Sequence, residues 1–113
     1  MNEFAKIKRD NYLKKLRSNS IAILTNQIDF DFGCLKMKTI IYWIENISPL
    51  EEIDVRVFKD FYEEMSFYPI EKERENYNLE YLKILDKEVE KIHLKYKELI
   101  LKKCIEIKET INN

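Results

Sequence analysis

The residues of this chain able to do chemistry are few, and their spacing argues against catalysis. The one histidine, His93, lies beside Ile92 in an apolar helical pattern. The pattern around it offers no evident partner to orient the imidazole, which a general base needs. Cys104 follows eleven residues later, about 16 Å along a continuous helix, too far to form a thiol–imidazole pair. Carboxylates recur at helical spacing, Asp60 with Glu63 and Glu64, and Asp86 with Glu90. They lack the histidines at i+3 that complete a carboxylate metal site in a helical bundle, so they read as solvated faces. There is no CxxC, no HxxxH and no acidic loop of EF-hand spacing. A single glycine leaves no phosphate loop. The expectation is a protein that is not an enzyme and carries no metal and no cofactor.

Cys34 and Cys104 sit far apart, each within an apolar pattern. They allow one disulfide or two free buried thiols, and the apolar settings favour the thiols.

Charge is more informative. Lys and Arg total 20 against 21 acids, so the chain is not a globally basic nucleic-acid binder. From Glu45 to Glu90, however, there are fourteen acids and six bases, while the first twenty residues carry a net +4. The acidic stretch also holds Phe58, Phe61, Tyr62, Phe67, Tyr68, Tyr77 and Tyr81. A surface of aromatics and acids suits docking of a basic protein, and nucleases are typically basic because they bind a polyanion. The expected interface has Asp54, Asp60, Glu63, Glu71, Glu73 and Glu75 as an acidic rim and Tyr68 as aromatic anchor. The competing reading is a solvated face with no partner. The bases of the first helix, Lys8, Arg9, Lys14, Lys15 and Arg17, lie on more than one side of it and read as solvated before they read as phosphate contacts.

These residues must be positioned by helices. The 113 residues make one domain, with one Gly and two Pro. The expected fold is all-α, a single small bundle of about five helices organised around a long C-terminal helix. That helix runs from Asn78 to Ile111, with a stripe at Leu82, Leu85, Val89, Ile92, Tyr96 and Leu99. The stripe shifts by one residue to Ile100, Cys104, Ile107 and Ile111. A first helix over Asn2–Arg17 should turn Phe4, Ile7, Leu13 and Leu16 inward. Ser18 or Ser20 then caps a short buried helix, Ile21–Asn26. Asp29 or Asp31 starts another, with Met37, Ile40, Ile41, Ile44 and Ile47 as its core stripe. Gly33 inside that helix marks a close crossing, since glycine there costs about 1 kcal/mol relative to Ala. Ser48-Pro49-Leu50-Glu51 carries a helix-start signature, with Asp54 as a second cap. Ser66–Ile70, around Pro69, reads as a loop, and Glu71–Tyr77 as a short helical turn. The start is charged with no apolar run of signal length, and no run is long enough to span a bilayer, so a cytoplasmic chain without membrane contact is expected.

The run Ile28-x4-Gly33-Cys34, followed by Phe58, Glu64, Pro69, Arg74, Tyr77, Leu82 and Asp86, resembles a family of small all-helical bacterial proteins. Some of them serve as immunity proteins against contact-dependent or otherwise secreted toxins, ribonucleases included. The resemblance covers roughly residues 20–108. Thr25 stands where the family has glycine, and Tyr77 where tryptophan is commoner. The resemblance implies a cognate toxin as partner and no catalytic residues. Its recurrent Glu and Arg fall on Glu64 and Arg74, which are expected to pair across the Pro69 loop or to cap backbone groups there. The alternative is a structural module that self-associates, as a homodimer, along the long helix.

Overall fold

Asn78 opens the longest element of the chain. Its side chain accepts a hydrogen bond from the Tyr81 N–H at 2.7 Å, and Glu80 occupies the first turn, where the helix dipole favours an acid. The helix that follows, α4 (Leu79–Thr110), runs for 32 residues, about 48 Å at 1.5 Å per residue. It accounts for most of the 54 Å long axis of the protein, whose other dimensions are 24 and 22 Å. Its net charge grades along its length, with four acids and three bases from Glu80 to Lys91 and five bases and three acids from Lys95 to Glu109. Glu80 complements the macrodipole at the start, while in the last turn Lys108 is offset by Glu109. The computed structural model describes residues 1–69 and 71–112, without the side chain of Glu71.

Three helices pack along this spine: α1 (Glu3–Leu24), α2 (Phe30–Ile47) and α3 (Arg56–Met65). A 3-10 segment, Glu71–Asn76, joins α3 to α4, and the described residues hold no strand. α1 contacts α2 and α4, and α3 contacts the same two, so α1 and α3 stand at opposite corners of a four-sided bundle. The bundle has four α-helices where about five were expected. The expected break at Ser18–Ser20 does not occur. Ser20 is fully buried, its hydroxyl donating to the Leu16 carbonyl at 2.9 Å, and Asn19 donates to the Gly33 carbonyl across the α1–α2 contact at 2.9 Å. Residues that looked like cap formers are instead satisfied inside one continuous helix. That helix ends in a Schellman turn: Asn26 is left-handed (φ 57°), its N–H bonds to Ile23, and the Gln27 N–H to Ala22.

The inner face of α1 also differs from expectation near its start. Phe4 and Ile7 are exposed, and Arg9 is buried with Leu16, Asn19, Ser20 and Ile23. Arg9 turns inward because α2 ends with carbonyls that need donors. Its Nε donates to Ser48 O at 3.3 Å and its Nη2 to Pro49 O at 2.9 Å. The Ser48-Pro49 signature therefore starts no helix. Ser48 is extended (φ −163°, ψ 143°) and ends α2, and Leu50, Ile53 and Val55 of the following strap are buried in the core. α3 begins beside the second start signal but one residue later than expected. Val55 is the cap residue, without a side-chain cap bond, and the Asp54 carboxylate before it accepts from the Arg56 N–H at 3.0 Å.

Asp29 caps α2 by accepting from the Phe32 N–H at 3.1 Å. Gly33, one turn in, is a tight crossing: a Cβ there would come within 2.6 Å of Ile23 Cγ1 and 3.1 Å of Ile28 Cγ2. The core between the four helices is built on Leu16, Met37, Ile44, Phe58, Ile100 and Ile107. On α4 the shifted seam is visible in the burial. Ile92, Tyr96, Ile100, Cys104 and Ile107 are buried, while Leu99 is turned outward. Cys34 and Cys104 are both buried and unbonded. Among the described residues no helix is long and apolar enough to cross a membrane.

Candidate functional site: an aromatic and acidic groove

The first turns of α2, the end of α3 and the 3-10 segment enclose a groove of about 450 Å³. The capping that starts α2 brings two carboxylates to its rim, Asp29 and Asp31, with Phe32 and Leu35 beside them. The α3 helix contributes Phe61, Tyr62 and Met65, the loop after it Tyr68, and the 3-10 segment Glu73. No lysine or arginine among the described residues lines it.

Behind the rim, His93 from α4 places Nε2 at 2.6 Å from Asp31 Oδ1. A carboxylate only accepts, so Nε2 carries the hydrogen. The imidazole stacks on Phe61 (centroids 5.9 Å apart, planes at 27°) and meets Phe30 edge-on at 5.9 Å. This contact supplies the orienting partner that local sequence around His93 lacks, from 62 residues away. It ties α4 to the start of α2 and fixes the groove floor. Cys34 also lines the groove, but burial, with nearby Cys104 and Asp31, pushes its thiol far above the usual range. Nothing near it acts in the lowering direction, as the cation beside a nucleophilic thiolate does.

The expected interface residues are distributed as follows. Tyr68 and Glu73 meet at the groove. Desolvation and the adjacent Glu88 carboxylate raise the Tyr68 hydroxyl. Asp54 and Asp60 lie instead around a separate depression at the other end of α3, with Arg56 and Lys103. Asp54 is taken up by Arg56, whose Nε and Nη2 reach it at 3.0 and 2.7 Å and hold its carboxyl far below the usual range. Glu63 and Glu75 are exposed on α3 and the 3-10 segment. The Glu71 side chain falls outside the described residues.

Glu64 and Arg74 do not pair. Glu64 interacts with the Tyr96 hydroxyl and with Lys95 Nζ at 3.4 Å, both on α4, and these hold its carboxyl below the ordinary range. Arg74 makes a two-pronged contact with Asp86, at 2.8 and 3.0 Å. Each residue thus anchors its own element to α4. Pro69 is buried between them, and Tyr77 stacks on Tyr81 at 5.8 Å.

Asp29, Asp31, Phe32 and His93 were not anticipated as site residues. The signal for three of them lay in the alternation Asp29-Phe30-Asp31-Phe32, which sets acids and aromatics within one turn. His93 left no such signal. Among the described residues no three His, Cys, Asp or Glu side chains are placed to hold a metal ion. No protein-family model, curated protein or solved structure matches the chain.

Proposed function

We propose that this chain is an immunity protein, a non-catalytic binder that neutralises a basic protein toxin of the nuclease kind by covering its active site. The supporting observation is the groove: carboxylates and aromatic rings together, with no lysine or arginine among its described lining. Around it acids outnumber bases. Residues 60–90, which carry α3's end, the 3-10 segment and α4's first half, contain ten acids and four bases. Such a face attracts a basic partner and competes with the polyanion that partner normally binds. The family resemblance of the Gly33-Cys34 and Arg74–Asp86 residues supplies the class of partner, and the surface supplies its charge.

Co-expression tests the reading. The polypeptide encoded beside this gene should stop growth and degrade nucleic acid when made alone. In the presence of this chain both effects should disappear, with a one-to-one complex recovered. The triple variant Glu63→Lys, Glu73→Lys, Glu75→Lys should keep its helical signal and lose protection. Full protection by that variant would overturn the assigned surface, and a harmless neighbour would overturn the function.

Self-association has one observation in its favour: Leu79, Ile84, Leu94 and Leu99 of α4 are all more than half exposed. Their spacings of five, ten and five residues walk around the helix. A second copy would find no continuous 3-4 seam among them. Light scattering separates the readings, with a monomer expected.

A further inference from the structure

We propose that the groove between α2, α3 and the 3-10 segment receives one arginine side chain of the partner. The inference rests on the reading above that the partner is a basic protein. A volume of about 450 Å³ is at the small end of ligand pockets, which run roughly 300–1,000 Å³, and suits an inserted side chain.

Its walls match a guanidinium in two ways. Phe32, Tyr62 and Tyr68 present ring surface over the buried Phe61, and a flat, weakly hydrated cation stacks on such rings. One face of Tyr62 already carries a cation, Lys38 Nζ at 4.0 Å from its centroid, and Lys38 lies outside the groove lining, beside Tyr42 and Glu45. The rim then supplies acceptors. His93 occupies Oδ1 of Asp31 and the Phe32 N–H occupies Oδ2 of Asp29, so each carboxylate keeps an oxygen free of these bonds. Glu73 has no ion-pair partner among the described residues. Opposing them is the positive end of the α2 dipole, equivalent to about half a charge. The three carboxylates outweigh it together with the Lys38 ammonium on Tyr62. Lysine fits less well, because a compact ammonium neither stacks flat nor spans two carboxylates in a fork.

The test uses the whole chain and a defined probe, N-acetyl-arginine N-methylamide, followed by amide NMR shifts. The expected result is saturable perturbation in the millimolar range, centred on Asp31, Phe32, Tyr62, Tyr68 and Glu73. The isosteric, uncharged citrulline amide should give none. Phe32 and Glu73 are exposed, so Phe32→Ala and Glu73→Gln can be made without disturbing the core. Each should weaken the arginine response about threefold, the effect of one exposed contact. An equal response to citrulline or to the lysine amide, shifts centred elsewhere, or no saturable shift would overturn the assignment. So would concentration-dependent shifts at the groove without probe, which would identify a second copy as its occupant. If the toxin is still neutralised in any of these cases, the arginine assignment fails alone. Loss of neutralisation in the co-expression assay is a failure of the functional reading instead.

Discussion

At the scale of single residues, Gly33 and the two cysteines show how tightly α1, α2 and α4 are fitted. A methyl group at Gly33 would press into Ile23, itself 3% exposed and held in the core. Overpacking of this sort costs about 1–3 kcal/mol, against a gain of up to about 1 kcal/mol from better helix propensity. Gly33→Ala should therefore lower stability by about 1–2 kcal/mol, read as a lower urea midpoint with unchanged slope. The close neighbour is a side chain of α1, where a passing backbone is the usual reason for such a glycine. The thiols make a second prediction. Burial raises Cys104 to about 11, and raises Cys34 further. Thiolate is the reactive form, so both should resist a disulfide reagent in the native protein and react at once in denaturant. Rapid labelling of either in the native state would contradict the burial of both thiols in the core.

At the scale of elements, the segment between α3 and α4 is held by side-chain pairs more than by apolar burial. Arg74 holds the Asp86 carboxyl below its ordinary range through their hydrogen bonds. A carboxyl depressed by folding stabilises above its unfolded value, and that stabilisation is lost as the pH falls through the folded one. The 3-10 segment should thus stay docked at neutral pH and release only on acidification below the usual carboxylate range. Arg74→Ala should release it at neutral pH as well, seen as faster amide exchange over residues 72–77 with α1 and α2 unaffected. Unchanged exchange there would show that the pair is not what docks the segment. The extent to which elements could be read from sequence follows the range of the forces that set them. The α4 boundaries, the Asp29 cap and the Gly33 crossing were legible, because caps and periodicity are written locally. The fusion of two expected helices into α1 was not, since Asn19 and Ser20 are satisfied by groups on α2 and by the helix's own backbone. Nor was the strap after α2, where Arg9 and the burial of Leu50, Ile53 and Val55 override a valid helix-start signature. For the groove, Tyr68 and Glu73 were visible as aromatic and acid within an acidic stretch. Asp31 and His93 meet only through the tertiary fold, so neither advertised the other.

At the scale of the whole molecule, the protein is a short rod. Its radius of gyration is 16.0 Å, against about 13 Å for a compact chain of this length. Solution X-ray scattering should return the larger value for a monomer, and a dimer would exceed it. Steering of the proposed basic partner by the acidic surface would make their association dependent on salt. Its on-rate should fall steeply between low and physiological ionic strength while the off-rate changes little. An on-rate indifferent to salt would remove electrostatics from the mechanism. The charge gradient along α4 bears also on the direction of approach. Residues 60–90 carry ten acids against four bases and the first twenty residues six bases against two acids, so the molecule carries an electric moment although its net charge is only −1. In the field of a positive body such a rod feels a torque before it feels much attraction. It would swing round at a distance and arrive with its more acidic half leading, so that encounters are already oriented when the surfaces meet.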